Sequence, residues 1–422
     1  MKFIFKSYNF NRDYLRATFN YEFEGGQEFS ETIDFRGSID FDENTLERAL
    51  FLAFILIGTS YYKAFPTKKV DINGLIDEWQ ANFFNKVFQN GLGQFAFENN
   101  LKITDLAEFI SSTVQIPTPT KYSGDGILTL QSGGKDSLLT ASLLGKASRD
   151  FESLYVSSGE NYPEFLSSIG SKLHVISRNI DRRALNLAKE KGGLNGHVPV
   201  TYIIQSIALI QAILLNKSVI LTSIAHEGEE PHTYIDETPI THQWSKTFAA
   251  ETAFSEYVFK YVSHDIMIGS PLRSLSELRV AELFVENVWR DYGYKFSSCN
   301  VANYKQGSDN TDLKWCGDCP KCANSYLLFA PFLSKEALTL IFNGQDLFEK
   351  PSLINDFKGL LGIDGAVKPF ECVGEIDELR LAYKMAQQKG EYAKLPFDVP
   401  DSSFDYKQLY PAQDIFKKLV NL

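Results

Sequence analysis

Cysteine, tryptophan and methionine are scarce in this chain, and several features expected of other protein classes are missing. Five cysteines in 422 residues are too few for a disulfide-stapled scaffold, which carries them densely. The start, Met1-Lys-Phe-Ile-Phe-Lys6, lacks a long apolar core followed by a small-residue cleavage site, so no signal peptide is expected. The longest apolar run, Ala49–Ile57, is far short of the ~20 residues that span a bilayer. It reads as a buried helix, and the chain as a cytoplasmic protein without a membrane segment. Positive charge is also lacking, with 42 Lys and Arg against 53 Asp and Glu. A net charge of -11 argues against the broad electropositive surface that grips a nucleic acid. A local basic pocket for a small anionic substrate remains compatible with it. Nothing in the sequence points to a particular protein partner.

Aromatic residues, in contrast, are abundant, with 33 Phe and 20 Tyr. The apolar content of 44% and charged content of 23% are those of an ordinary globular chain, and the length suggests two or three domains. From Lys2 to Phe35, alternating runs such as Arg16–Phe23 flank Gly25-Gly26, the pattern of antiparallel hairpins. Helical patterns follow from Asp42 to Gly58 and from Asp77 to Asn90. A small α+β domain over residues 1–120 is expected, ending in the linker Pro117–Gly126. Beyond it, short β-rich runs at Ile127–Gln131, Ser153–Ser158, Lys172–Ser177 and Ser218–Ser223 alternate with helical segments. That rhythm predicts an α/β domain over 121–422, with a parallel sheet covered by helices on both faces and a helical tail after Leu333.

The strongest motif is Ser132-Gly-Gly-Lys-Asp-Ser137, set between the run Ile127–Gln131 and the helical Leu138–Leu144. Gly133 and Gly134 let the backbone turn tightly and approach an anion. Ser132 and Ser137 offer hydroxyls, and a helix starting at Ser137 presents free N–H groups and a positive dipole end. The spacing is not that of a Walker A loop, which needs four residues between its first glycine and the Gly-Lys pair. The motif resembles the Ser-Gly-Gly-x-Asp-Ser signature of the PP-loop ATP pyrophosphatases, whose adenine nucleotide α-hydrolase-like fold it implies. In that resemblance the loop binds pyrophosphate and ATP is attacked at its α-phosphate. A second cluster, Cys299, Cys316, Cys319 and Cys322, has the spacing C-x16-C-x2-C-x2-C. Four thiolates at such spacing suit a closed, structural zinc site and define a zinc module over 299–322. Cys372 is left over.

With these residues the chain resembles the bacterial UDP-N-acetylmuramoyl-L-alanyl-L-glutamate epimerases of peptidoglycan synthesis. The resemblance includes Gly58–Ala64, Asn90–Phe97, Gly133–Ser137, Asn195–Thr201, Thr241–Lys246, Leu272–Leu278, Ser298–Asn300 and the cysteine cluster. It departs after Ser223, where the family pattern places an Asn-Glu-Arg-type loop and this chain reads Ile224-Ala-His-Glu-Gly-Glu-Glu230. The resemblance implies inversion of the terminal glutamate of a UDP-muramoyl dipeptide, with ATP and magnesium as cofactors and AMP and pyrophosphate as products. Lys135 is then expected to neutralise phosphate charge and Asp136 to position magnesium or the loop. His197 and Cys372 are candidate proton carriers, and His242, Lys246, Arg273 and Arg279 candidate substrate ligands. Two other readings stay open. One is a related PP-loop enzyme that activates another carboxylate, like the 7-cyano-7-deazaguanine synthases, and the other is a non-catalytic nucleotide-binding module.

Overall fold

The computed structural model describes residues 1–72, 74–113, 118–305 and 311–422. The chain opens with an antiparallel meander, β1 (Phe3–Asn11), β2 (Arg16–Phe23) and β3 (Gln27–Asp34), followed by α1 (Glu43–Tyr62), the short β4 (Val70–Ile72), α2 (Glu78–Gln89) and α3 (Gly93–Glu98). Asp42 caps α1 by accepting the Thr45 N–H, and Asp77 and Gln80 form a capping box on α2. These side chains satisfy first-turn donors that would otherwise stay unpaired. The alternating part follows as β5 (Ile127–Leu130), α4 (Lys135–Lys146), β6 (Phe151–Ser157), β7 (Leu173–Asn179), α5 (Arg182–Glu190), α6 (Val200–Leu214) and β8 (Val219–Leu221). A hairpin of β9 (Thr233–Ile235) and β10 (Thr238–Ile240) precedes α7 (Phe248–Tyr257), β11 (Met267–Gly269) and α8 (Glu277–Asn287). Further helices form the tail, including Pro320–Phe329, Ile354–Leu361 and Ile376–Gln388.

Among the described residues nine strands join in one sheet of order β11-β8-β5-β6-β7-β3-β2-β1-β4, and β9 and β10 pair apart from it. The first five are mutually parallel, and β3 adds antiparallel to β7. The hairpins expected from Lys2 to Phe35 are present as the meander, and through β3 the meander extends the parallel sheet. The expected linker is tied down as well. Pro117 lies outside the described residues, but the Thr120 N–H donates to the Val262 carbonyl at 3.0 Å and the Tyr122 N–H to Asp265 Oδ2 at 2.9 Å.

Side chains alternate between the two faces of a strand, and each face of the parallel part is buried in its own core. Leu128, Leu154, Ile176 and Ile220 enter the core shared with α1, α2, α6 and the meander. Ile127, Tyr155, Val219 and Leu221 enter a second core with α4, α8 and the tail helices. The aromatic wealth goes largely into the first core, where Phe3, Phe5, Tyr21, Phe54, Tyr61 and Tyr62 pack at ring distances of 5.1–5.9 Å.

The join between β3 and β7 spans three residue pairs, Thr32–Asp34 against Ser177–Asn179. Beneath it, Arg178 Nε meets Glu31 Oε1 at 2.7 Å, the Tyr61 hydroxyl donates to Glu31 Oε2 at 2.7 Å, and Ser60 Oγ accepts from Arg178 Nη2 at 3.1 Å. Removing one partner of a buried pair leaves the other as an uncompensated charge. Arg178→Ala is expected to lower unfolding free energy in urea by about 3–5 kcal/mol. Arg178→Met with Glu31→Gln should recover much of that loss.

Candidate active site

Within the parallel sheet β5 is flanked by β6, the next strand in sequence, and by β8, which the chain reaches later on the other side. The strand order therefore reverses between β5 and β8, and the carboxyl ends at such a switch point are where open α/β sheets bind ligands. A cavity of about 360 Å³ lies there, walled by Ser132, Gly134, Asp136 and Ser137 on one side and by Thr222–Ile224 on the other. Leu130, Leu154, Val156 and Ile204 give it an apolar flank.

The loop from β5 into α4 is built to face an anion. Gly133 sits at φ +76°, and a Cβ there would approach Leu313 Cδ1 to 2.5 Å. A side chain at this position meets both backbone strain and a clash. α4 begins at Lys135, two residues before the expected start, with Gly134 as its N-cap and no side chain capping the first turn. First-turn N–H groups are left for a ligand, and the dipole favours a negative one. Ser137 Oγ donates to the Gly134 carbonyl at 3.2 Å and holds the turn closed.

Lys135 Nζ lies 2.6 Å from Asp136 Oδ1 and 2.6 Å from Glu277 Oε2. Burial works against the lysine charge, but Asp136 and Glu277 outweigh it and hold the ammonium protonated. Glu277, at the start of α8, is pushed up to about 7 by burial first, with Asp136 and Glu227 adding to it against the pull of Lys135. Its Oε1 is buried and has no hydrogen-bond partner. On the other side, Lys246 Nζ is 3.2 Å from Glu227 Oε2 and 3.5 Å from Cys372 Sγ. Glu227, Lys246, Lys321 and Cys372 all line the cavity. Sequence reading missed Glu277, Glu227 and Lys321. The signals for Glu277 are its place in the run Leu272–Leu278 that carries the resemblance and after Ser276, the N-cap of α8, and Glu227 belongs to the loop that departs from the family pattern.

That loop and the segment of the four cysteines together hold the segment bearing Cys372. Glu230 pairs with Lys368 and accepts the Ile376 N–H, while His226 Nε2 lies 3.3 Å from Glu375 Oε1. From the module side, Lys321 bonds the Cys372 carbonyl and Asn300 Nδ2 donates to Glu371 Oε2 at 3.0 Å.

The remaining candidates are placed differently from expectation. His197 does not line the cavity; its ring packs on His242 at 4.9 Å, and Nε2 is buried without a partner. His242 bonds Gln94 Oε1 at 2.7 Å, and its N–H donates to His232 Nδ1 at 3.3 Å. It borders only a small pocket adjoining the cavity. Burial first, then neighbouring positive groups, lower His197 and His232 to about 3 and His242 to about 4. Arg273 is fully buried, paired with Glu251 Oε2 at 3.0 Å and donating to the Ala225 carbonyl at 2.8 Å. It props the loop after β8 and has no face open to a ligand. Arg279 pairs with Glu282 one turn along α8, away from the cavity lining.

Cys299, Cys316, Cys319 and Cys322 converge with all four Sγ atoms within 4.8 Å of one another. Three of the separations are 3.8, 3.7 and 3.5 Å. Sulfurs ~2.3 Å from a central zinc stand about 3.8 Å apart at the corners of a tetrahedron, so the set fits the ion. The Ala302 and Asp318 N–H groups donate to Cys299 Sγ and Cys316 Sγ at 3.4 Å, as suits thiolates. The cluster is joined to the phosphate loop, because the Ser297 N–H donates to the Gly133 carbonyl at 3.3 Å and Ser297 Oγ to the Lys314 carbonyl at 2.7 Å.

Fold and site thus define an α/β protein with a helix terminus free of side-chain caps at its switch point and a cluster of four thiols beside it. Residues 1–268 match the family model described as the MurL N-terminal domain, and residues 295–399 match the MurL C-terminal domain. A relative from Salinispora tropica, named UDP-N-acetyl-alpha-D-muramoyl-L-alanyl-L-glutamate epimerase, is 32% identical over 93% of this chain and 86% of its own length. A relative of the same name from Xanthomonas oryzae pv. oryzae is 32% identical over 89% of this chain and 83% of its own. The chain belongs to this MurL epimerase family. The two family models together cover residues 1–268 and 295–399.

Two outcomes follow from the site. Cys319→Ser should bind less than one equivalent of zinc by elemental analysis and unfold at lower temperature, because a structural metal contributes folding free energy directly. The three histidines bear on acid stability. An unfolded chain protonates them near 6.5, whereas the native fold resists until about 3–4. Stability present above pH 6.5 is therefore lost as pH falls toward 4. Thermal midpoints across that range should fall in the wild type and fall less steeply in His197→Gln.

Proposed function

We propose that this chain is a cytoplasmic ATP-dependent epimerase of peptidoglycan precursor synthesis. It inverts the terminal L-glutamate of UDP-N-acetylmuramoyl-L-alanyl-L-glutamate with release of AMP and pyrophosphate. Family membership supports the substrate. The observation that carries the chemistry is one cavity bordered both by the uncapped turn at Ser132–Ser137 and by Cys372 beside Lys246.

A free α-carboxylate resists loss of the neighbouring proton, because deprotonation sets a second negative charge beside the first. Joining the carboxylate to the α-phosphate of ATP removes that obstacle, since the resulting mixed anhydride can take up the electron pair. In this reading the turn at the start of α4 receives the pyrophosphate portion, and Lys135, Lys246 and Lys321 offset its charge. Asp136, bordering the same space, would hold magnesium, which when bound neutralises polyphosphate charge. The apolar flank of Leu130, Leu154 and Val156 suits a nucleobase. Cys372 carries a proton on one face of the α-carbon, with Lys246 stabilising its anion. His197 is too far behind the wall to take the other face.

Incubation with the dipeptide substrate, ATP and magnesium in deuterated water should place deuterium at the α-carbon of D-glutamate and yield AMP. Omission of ATP should abolish the exchange. Lys135→Ala should slow turnover on the order of 10²–10³-fold, the effect of losing one preorganised transition-state donor. Formation of ADP would rule out the phosphate assignment. AMP formation with a deazapurine acid, with the dipeptide left unlabelled, would rule out the glutamyl substrate and direct attention to Glu227 and its loop.

A further inference from the structure

We propose that Glu277 is the second catalytic acid–base residue, working on the face of the α-carbon opposite Cys372. The inference rests on the epimerase reading and supplies the group which that reading lacks.

Inversion by proton removal and return requires two groups on opposite sides of one carbon. Among the described residues no histidine lines the cavity. Its titratable side chains are Asp136, Glu227, Glu277, Lys246, Lys321, Tyr304 and Cys372. The lysines are cations committed to carboxylates, a carbonyl or phosphate. Asp136 holds Lys135, and Glu227 holds Lys246. Glu277 differs from both other carboxylates, because one of its oxygens is anchored and the other is buried with no partner at all. A bare carboxylate oxygen is costly in a folded interior unless something arrives to meet it. The anchor to Lys135 at 2.6 Å fixes the carboxylate at the mouth of the phosphate loop, where the activated carbonyl would be formed. Burial and the nearby acids raise its proton affinity to near neutrality, the range in which a general base works best.

The step balances as follows. The Cα–H bond breaks, its proton moves to Glu277 Oε1, and the electron pair enters the carbonyl of the mixed anhydride. A new Cα–H bond then forms on the opposite face with the proton of the Cys372 thiol, leaving a thiolate beside Lys246. Exchange with solvent returns the proton from Glu277 and restores the thiol, and water then cleaves the anhydride, giving the D-glutamyl carboxylate and AMP.

Two partial reactions separate this role from service to the nucleotide: exchange of labelled pyrophosphate into ATP, which needs only activation, and wash-in of solvent deuterium at the α-carbon. Glu277→Gln keeps the shape and the hydrogen bond to Lys135. It is expected to retain pyrophosphate exchange within about threefold while inversion falls ~10²–10⁴-fold, and Glu277→Asp is expected to recover part of that loss. Cys372→Ser should show the same separation. Parallel loss of both partial reactions in Glu277→Gln and Glu277→Asp, with wild-type melting curves, would assign Glu277 to holding Lys135 and overturn the proposal. Unchanged inversion in Glu277→Gln would do so too. A wild-type enzyme that shows no dipeptide-dependent pyrophosphate exchange would instead remove the epimerase reading, and this assignment with it.

Discussion

The short antiparallel join between β3 and β7 is the contact on which the architecture turns. Three residue pairs and one buried Glu31–Arg178 pair couple an antiparallel meander to a parallel sheet. The coupling lets α1 and α6 bury their apolar faces in one core with the strands of both parts. A backbone ladder this short specifies register weakly by itself, and the buried charge pair adds a constraint that only one alignment satisfies. With that edge occupied by β3, β5 sits well inside the sheet. Its carboxyl end then opens onto the strand-order reversal that makes the cavity.

Electrostatic balance is the second constraint. The cavity gathers Asp136, Glu227 and Glu277 close to Lys135, Lys246 and Lys321, and the protein neutralises its own binding groups without a ligand. Burial alone would discharge the lysines and protonate the acids. Pairing holds Lys135 and Lys246 charged against their burial and pulls Glu227 below the ordinary carboxylate range. The net charge of -11 therefore says little about this site, because the local arrangement is decided by six side chains from separate elements. The four-cysteine segment is tied to the same place, since the Ser297 N–H, two residues before Cys299, is hydrogen-bonded to the carbonyl of Gly133.

Much of the local structure was legible in the sequence because it rests on short-range rules. Alternation and period located every parallel strand between Ile127 and Ser223, Asp42 and Asp77 announced two helices, and the Ser132–Ser137 run marked the turn at the switch point. The cysteine spacing named a set whose sulfurs do converge. What sequence could not reveal depends on pairing at a distance. Nothing in the meander announces that β3 adds to β7, and nothing near Arg273 announces Glu251, so a core ion pair read as a substrate ligand. His197 read as a proton carrier because imidazole titrates near neutrality, yet burial removes it from that range. Glu277 was overlooked because an acidic residue after a serine N-cap is ordinary in a helix first turn; only its unpartnered oxygen distinguishes it.

The cavity is also assembled from distant points along the chain, with its phosphate turn at residues 132–137 and its thiol at residue 372. Domains emerge and fold in order from the amino terminus during synthesis. The turn and the parallel strands up to β8 are thus made well before the segment that closes on them. A product that stops short of Lys368 would lack both the Cys372 wall and the pairing with Glu230. Such a fragment would keep the uncapped turn at Ser132–Ser137 but lose the thiol that lines the same cavity, so damage near the carboxyl end divides one wall of the cavity from the other.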